Sequence, residues 1–396
     1  MELARRLKEK RERFSLTQER VAQALGVPRE LVSYWENGAR KPGLKHLQGL
    51  ATLYDSSPAE LLGEVSNTEK EERGSVLLRG VENAEVHFAI RQWLSFLDSW
   101  ADFLEDIGQE LPGPGRPPRQ LDEKVTVTDS RRASALAEKV RDFFRLGQDA
   151  MADLYTFLDK QGYLVTKANL GQIGRGKDSI SGAFFNHSRL GFCILVNVDT
   201  SPGRQAFTLA HEFAHSLYHH AKGGIISRFA PDDPIERFAD AFAANFLIPG
   251  KELRRLVKEE LLKGKKKELT PSDALLLASY FGVSYAMILI RLQVVGLISS
   301  TQREDWRRYS AQKLANQLGI NSEEFNIPEP QPLSLDRHSV SVLKQAKRAI
   351  EQDLLSPKQA AGLLRVGLSD IQKVLLAEPP QATPREYQEH EQFVVA

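Results

Sequence analysis

At 396 residues, with 41% apolar and 27% charged residues, the chain is long enough for two or three domains, each with its own core, and has the balance of a soluble globular protein. Its single cysteine, Cys193, rules out a disulfide framework and argues against a cysteine-based zinc site, and its place in the apolar run GFCILVNV marks it as a buried strand residue. The charged N-terminus lacks the apolar core of a signal peptide, and no window approaches the ~18 apolar residues of a membrane span, so a cytoplasmic setting is expected.

The net charge of +1 exerts no global pull on nucleic acid, but residues 1–45 carry 11 Lys and Arg against 6 Glu and no Asp. In that region LTQERVAQALG starts a helix at Thr17 and ends it at Gly26. VPRELVSYWENG follows at once, with Pro28 at its start and Gly38 at its close. Ala22 permits close helix approach, and Val32 and Trp35 pack the second helix on the first. The stretch LTQERVAQALGVPRELVSYWENGARKP resembles the helix-turn-helix of the Xre and phage-repressor family. That resemblance implies a recognition helix from about Pro28 to Glu36 in the major groove of a double-stranded DNA operator. Arg29, Glu30 and Ser33, with Tyr34 behind them, are the candidates for base edges. Gln18, Asn37, Arg40 and Lys41 are the candidates for phosphates.

Apolar residues at 86, 90, 93, 94, 97, 100, 101 and 104 form a helical stripe for packing on a partner. LPGPGRPPR (Leu111–Arg119) reads as a flexible linker. A helix-like run from Ala133 to Lys160 leads into strand-like stretches GYLVTKANL, SISGAFFNHS and FCILVNVD. Ser201-Pro202 then opens a helix, and Asp233-Pro234 opens another that Pro249-Gly250 stops. Beyond it the chain reads as nearly all helical to a disordered tail after Glu378. ASYFGVSYAMI and AAGLLRVGLSDI both look loosely like helix-turn-helices. The lysine run Lys263–Lys267 reads as a solvated helix end.

The first of those two helices contains TLAHEFAHSLYHH, with four of the nine histidines. His211 and His215 are four apart and so share a face, ~5–6 Å apart at Cβ, which lets both imidazoles reach one ion at ~2.0–2.1 Å. Glu212 points about 100° round the helix, beside that ion, where it can take a proton from a metal-bound water. The next helix offers Glu236 and Asp240, again four apart. Glu236 is favoured as third ligand, although Asp233-x-x-Glu236 also matches a capping box. Asp240 is favoured as the acceptor that fixes a ligating histidine's tautomer. Tyr218, His219 and His220 are local candidates for supporting the ligands or holding an oxyanion.

FTLAHEFAHSLYHH, ERFADAFAANFLIP and LLLASYFGVSYAMILIRLQVVGLIS together resemble the ImmA/IrrE metallo-endopeptidases over about residues 131–300. The resemblance implies a thermolysin-like zincin core, Zn²⁺, Glu236 at the glutamate-ligand position and Asp240 at the family's Asn/Asp position. It also implies cleavage of helix-turn-helix repressors, which relieves repression in stress, mobile-element or defence responses.

The expected fold is multidomain: an all-α helix-turn-helix domain (1–66), a helical connector and Pro/Gly linker (67–130), an α+β zincin core with a small sheet (131–300) and an all-α C-terminal region (301–396). The expected function is a DNA-binding regulator with a zinc endopeptidase that cuts a repressor or its own chain. The alternative is a transcription factor whose zincin domain is a non-catalytic sensor or dimerisation platform. An extended substrate could add as a strand at SGAFF or FCILVNV. An activating nucleic acid and a homodimer are compatible with the sequence.

Overall fold

The structure, a computed structural model, describes every residue except 1, 14–15, 55, 57, 64–82, 124–125, 152, 172–178, 229–232, 264–267, 327–334 and 376–396. The expected tail after Glu378 and all of the lysine run beyond Lys263 lie outside the described residues.

Five short helices open the chain: α1 (Glu2–Arg13), α2 (Gln18–Leu25), α3 (Arg29–Glu36), α4 (Leu44–Leu53) and α5 (Pro58–Leu62). The Thr17 hydroxyl accepts from the Arg20 amide and caps α2. Gly26 turns the corner to α3 at φ 64°, a conformation that costs a β-carbon residue and not glycine. Val21, Ala22, Val32 and Trp35 are buried with Leu7, Leu50 and Tyr54 in one core. Beneath α3, the Glu36 carboxylate accepts from Arg11 (2.7 Å) and Gln18 (2.9 Å), so its burial is matched by charge-assisted bonds.

The amphipathic stripe folds as α6 (Ala84–Asp106), with Ile90, Trp93, Leu97, Trp100 and Ala101 buried. Phe96 is buried as well, while Leu94 is only partly so. The segment after it departs from the expectation of a free linker. Gly113 N–H donates to the Arg189 carbonyl, and Gly115 exchanges two hydrogen bonds with the Asn186 side-chain amide at 2.7 and 3.0 Å. Gly115 also lies against the Phe192 ring so closely that a Cβ would stand 2.4 Å from it. Proline and glycine abundance forbids helix here but does not prevent docking.

Next come α7 (Ala133–Phe143) and α8 (Leu154–Lys160), then strands β1 (Leu164–Ala168), β2 (Ile180–His187) and β3 (Gly191–Asn197). After them run α9 (Pro202–Tyr218), β4 (Gly224–Arg228) and α10 (Pro234–Leu247). The mixed sheet has the order β1-β3-β2-β4, with β1 parallel to β3 and the other pairs antiparallel. Both segments proposed as peptide-accepting edges are therefore interior: β2 and β3 each have two neighbours. The outer strands are β1, which bridges His338, and β4, which sequence reading missed because GIISR is short and half-exposed.

Alternation along the strands feeds two cores. Val165, Phe184, Ile194 and Val196 face α9 and α10, whereas Leu164, Ala183, Cys193 and Leu195 face α6. Packing also crosses the expected boundaries. Trp306, Leu314 and Ala315 from α14 (Ser300–Trp306) and α15 (Ala311–Leu318) join the first core. Helices α16 (Val340–Glu351) and α17 (Pro357–Leu364), with Ile371 and Leu375 from the turn after α18 (Leu368–Asp370), pack with α6 over the second face of the sheet.

The remaining helices, α11 (Gly250–Leu256), α12 (Pro271–Phe281) and α13 (Tyr285–Val294), complete the core around α10. Among the described residues no single helix is long and apolar enough to cross a membrane. Only α12 and α13 together reach that length, and they are bent by 105°.

Candidate metal centre and helix-turn-helix face

The α9 helix starts at Pro202, whose preset φ suits the first turn, and buries Leu209, Ala210, Phe213, Ala214 and Leu217. This packing holds its histidine face against α10. Two buried arginines secure the far end of α10, where carbonyls lack partners. Arg141 of α7 donates to the carbonyls of Phe246, Gly147 and Asp149, and Arg291 of α13 donates to the Ile248 carbonyl and Asn245 Oδ1.

With both helices fixed, three ligand atoms converge. His211 Nε2 lies 3.0 Å from His215 Nε2 and 3.2 Å from Glu236 Oε2, and His215 Nε2 lies 3.3 Å from Glu236 Oε1. A tetrahedral ion with ~2.05 Å bonds would hold its ligand atoms about 3.3 Å apart. Asp233 caps α10 through its own carboxylate, accepting from the Ile235 amide, and this leaves Glu236 to turn inward.

The outer ring nitrogens decide the tautomers. Asp240 Oδ1 accepts from His211 Nδ1 at 2.8 Å, which frees the His211 Nε2 lone pair. His219 Nε2 donates to the Val127 carbonyl at 2.7 Å, so its Nδ1 can accept from His215 Nδ1, also at 2.7 Å. The His215 Nε2 lone pair is then aimed at the same point. Two lone pairs and a carboxylate meeting at 3.0–3.3 Å demand a positive charge between them. Burial opposes charge on His211, yet its bonds to Asp240 and Glu236 outweigh that and raise its pKa well above the ordinary value. Burial pushes His215 down to about 4. Burial alone would raise Glu236, but the two facing histidine rings hold it well below the usual carboxylate range. A divalent cation bound by these donors satisfies the same demand, and the buried His211, His215 and Glu236 are a set that fits one.

Glu212 is fully buried, and neither carboxylate oxygen has a hydrogen bond of ordinary geometry. Its polar neighbour is the Ser227 hydroxyl of β4. Burial, reinforced by Glu236 against the opposing pull of His211, pushes the carboxyl up to about 8. Space for it comes from Gly182 of β2, where a Cβ would stand 2.6 Å from Thr208 Cγ2, 2.7 Å from the Leu195 carbonyl and 3.0 Å from Glu212 Oε1. Neither Ser227 nor Gly182 carries a local motif that would have revealed it, and the Val127 carbonyl, a backbone atom, has no sequence signal at all.

Tyr218 stacks edge-on against Phe238 and Phe242, and His220 stands against Phe192. His219 has both nitrogens committed to His215 and Val127, which makes it a support and not an oxyanion donor. Asp240→Ala is expected to weaken metal binding about 10- to 100-fold with little loss of stability, since its side chain is 44% exposed. Competition with a chelator of known affinity would measure this; an unchanged metal affinity would contradict the role of Asp240.

In the N-terminal unit, Glu30, Tyr34, Asn37, Arg40 and Lys41 are exposed and Ser33 is half-exposed. Arg29 is exposed and paired with Glu19 at 2.7 Å. Asn37 Oδ1 accepts from the Ala39 amide. Gln18 is half-buried and donates one amide N–H to buried Glu36 at 2.9 Å, which ties the start of α2 to the end of α3.

The metallopeptidase-family model described as IrrE N-terminal-like domain matches residues 159–293, and the model described as Helix-turn-helix matches residues 7–61. No curated protein matches the chain. Among solved structures, ComR from S. thermophilus in complex with DNA and its signalling peptide ComS is 13% identical, covering 81% of this chain and 96% of that one at a TM-score of 0.18. PlcR of Bacillus thuringiensis in complex with the peptide PapR7 and DNA is 9% identical, covering 95% and 99% at a TM-score of 0.15. At such TM-scores these two likenesses carry no argument.

Proposed function

Because the chain joins an N-terminal helix-turn-helix domain to an ImmA/IrrE-type metallopeptidase-family domain, we propose that it is a DNA-binding regulator whose second domain is a zinc-dependent endopeptidase. The observation that carries the reading is the pair of hydrogen-bond chains, Asp240–His211 and Val127–His219–His215, that aim two Nε2 atoms at Glu236. A histidine pair needing only solvent would not have both outer nitrogens anchored. The presence of Glu212 beside the donors favours catalysis over a purely structural metal, which needs the ligands and not the base.

The chemistry that zinc supplies when bound there is Lewis acidity and a water with its pKa lowered to about 7. His211, His215 and Glu236 would hold it. Glu212 takes the proton of the attacking water at a carboxylate oxygen and returns it to the leaving amine. Its place beside the ligand atoms, buried and clear of the ligand triangle, suits it to carry that proton. The outer strand β4 follows α9 after one turn at His220–Lys222 and has no partner on its far side among the described residues. It is the edge on which an extended peptide would add. The substrate class is a helix-turn-helix repressor or the chain itself; the docked state of Leu111–Arg119 disfavours self-cleavage there. Exposed Arg29, Glu30 and Tyr34 would read operator bases, with Arg40 and Lys41 on phosphates.

The test measures bound metal and peptide-bond cleavage on the full chain, with repressors encoded beside it as substrates and with DNA added. One zinc per chain and cleavage that chelation stops and zinc restores are the expected results. Zinc without cleavage would make the domain a non-catalytic sensor, and absence of bound metal would overturn the account of the site.

A further inference from the structure

The spacing that builds the N-terminal helix-turn-helix occurs again near the far end of the described chain. In the first unit Ala22 is followed four positions on by a left-handed corner, Gly26 (φ 64°), then by Val32 and Trp35. From Ala361 the same steps reach Arg365 (φ 55°), Ile371 and Val374. The residue before each alanine, Val21 or Ala360, is fully buried, and each corner is followed by valine. Ser356 opens the second unit with a capping box to Gln359, as Thr17 opens the first. The helix after the corner runs from Leu368 through a π-helical turn ending at Leu375. A left-handed arginine is strained where glycine is not. Here the guanidinium is held by the Gln92 carbonyl and the Ser95 hydroxyl of α6, which fix the corner.

Helices α12 and α13 show the spacing a third time, through Ala278, Gly282, Ile288 and Arg291. There, however, α13 exposes Ala286, Ile290 and Val294 and turns Arg291 inward, a face with nothing for a base edge or a phosphate. The C-terminal unit differs in this respect. Its second helix exposes Leu368, Ser369, Gln372 and Lys373, at the steps that Arg29, Glu30, Ser33 and Tyr34 occupy in the first. Residues 340–375 carry six Lys and Arg against three Asp and Glu. The two units also border one cleft of about 550 Å³, lined by Leu25 of the first and by Gly362, Leu363 and Arg365 of the second. Two readers side by side on one chain correspond to what dimeric repressors achieve with two chains.

We propose that Ser356–Leu375 is a second helix-turn-helix that docks on duplex DNA beside the N-terminal one. Gln372 suits an adenine edge and Leu368 a thymine methyl, while Lys358 and Lys373 suit phosphates. The proposal deepens the DNA-binding reading given above and rests on it, and the test separates the two.

The full chain would be titrated against a labelled mixed-sequence duplex of about 60 base pairs over a range of about 50 to 200 mM salt. Lys358→Glu combined with Lys373→Glu is expected to weaken binding at least tenfold and to flatten the salt slope by about two, with the melting temperature unchanged. If that variant binds like wild type while Arg40→Glu with Lys41→Glu weakens binding, the second reader is overturned and the first stands. Wild type that binds no duplex overturns both. Selection from a randomised duplex library adds a readout that long-range charge does not move. Wild type should enrich two separated base preferences, of which Leu368→Ala with Gln372→Ala loses one. A single preference in wild type, untouched by that variant, overturns the proposal.

Discussion

Glu212→Gln is expected to keep one metal per chain and to lower peptide-bond cleavage about 10²- to 10⁴-fold, the range over which a positioned proton carrier contributes. Glutamine preserves shape in a fully buried space bounded by Gly182 and Thr208, but cannot accept and return a proton. The ligand triangle of His211, His215 and Glu236 does not include residue 212, so metal content separates this variant from a ligand loss. Metal analysis and single-turnover cleavage on the same samples would decide it. Cleavage at the wild-type rate would remove Glu212 from the mechanism. Loss of the metal would move it into the ligand set.

Arg141→Ala is expected to produce a large loss of stability although it lies away from the metal site. Its guanidinium serves three carbonyls, those of Gly147, Asp149 and Phe246, and the residue is 1% exposed. Truncation leaves those acceptors buried without donors and opens a cavity beside Phe246, together about 3–5 kcal/mol. For a domain of this size that corresponds to a fall of about 10 °C in the unfolding midpoint. Because the Phe246 carbonyl belongs to the last turn of α10, the loss is expected to loosen the helix that carries Glu236 and Asp240. Added zinc should therefore recover part of the lost midpoint, by binding only the folded state. Thermal unfolding with and without zinc is the measurement; a midpoint within about 2 °C of wild type would refute the capping role of Arg141.

The candidate metal cluster was legible because its residues lie in local repeats. His211 and His215 are one helical turn apart, as are Glu236 and Asp240, and such spacing puts side chains on one face whatever the rest of the chain does. The same holds for Ala22, Gly26, Val32 and Trp35, whose steps define a corner between two helices. Where reading failed, the deciding partner was far away in sequence. The hydrogen bond of Gln18 to Glu36, which is held by Arg11 as well, has no local signal. The Pro/Gly segment read as free linker because nothing within it signals its hydrogen bonds to Asn186 and Arg189. Strand order is of the same kind. The alternation in β2 and β3 marks them as strands, but being interior to the sheet depends on β1 and β4 pairing outside them.

Periodicity, capping residues and turn glycines by themselves determined that this chain opens with a helix-turn-helix and carries a paired-histidine helix followed by an acid-bearing one. These features arise from backbone geometry over four to eight residues. Only the tertiary structure decided which acid meets both Nε2 atoms, which tautomer each ring adopts and which strand edges stay open. It also decided that α6, α16 and α17 close over the second face of the sheet. Those outcomes depend on contacts such as His219 with Val127 and Arg365 with Gln92. Such contacts bring together groups up to hundreds of residues apart, and their energy exists only after the layers between them have packed.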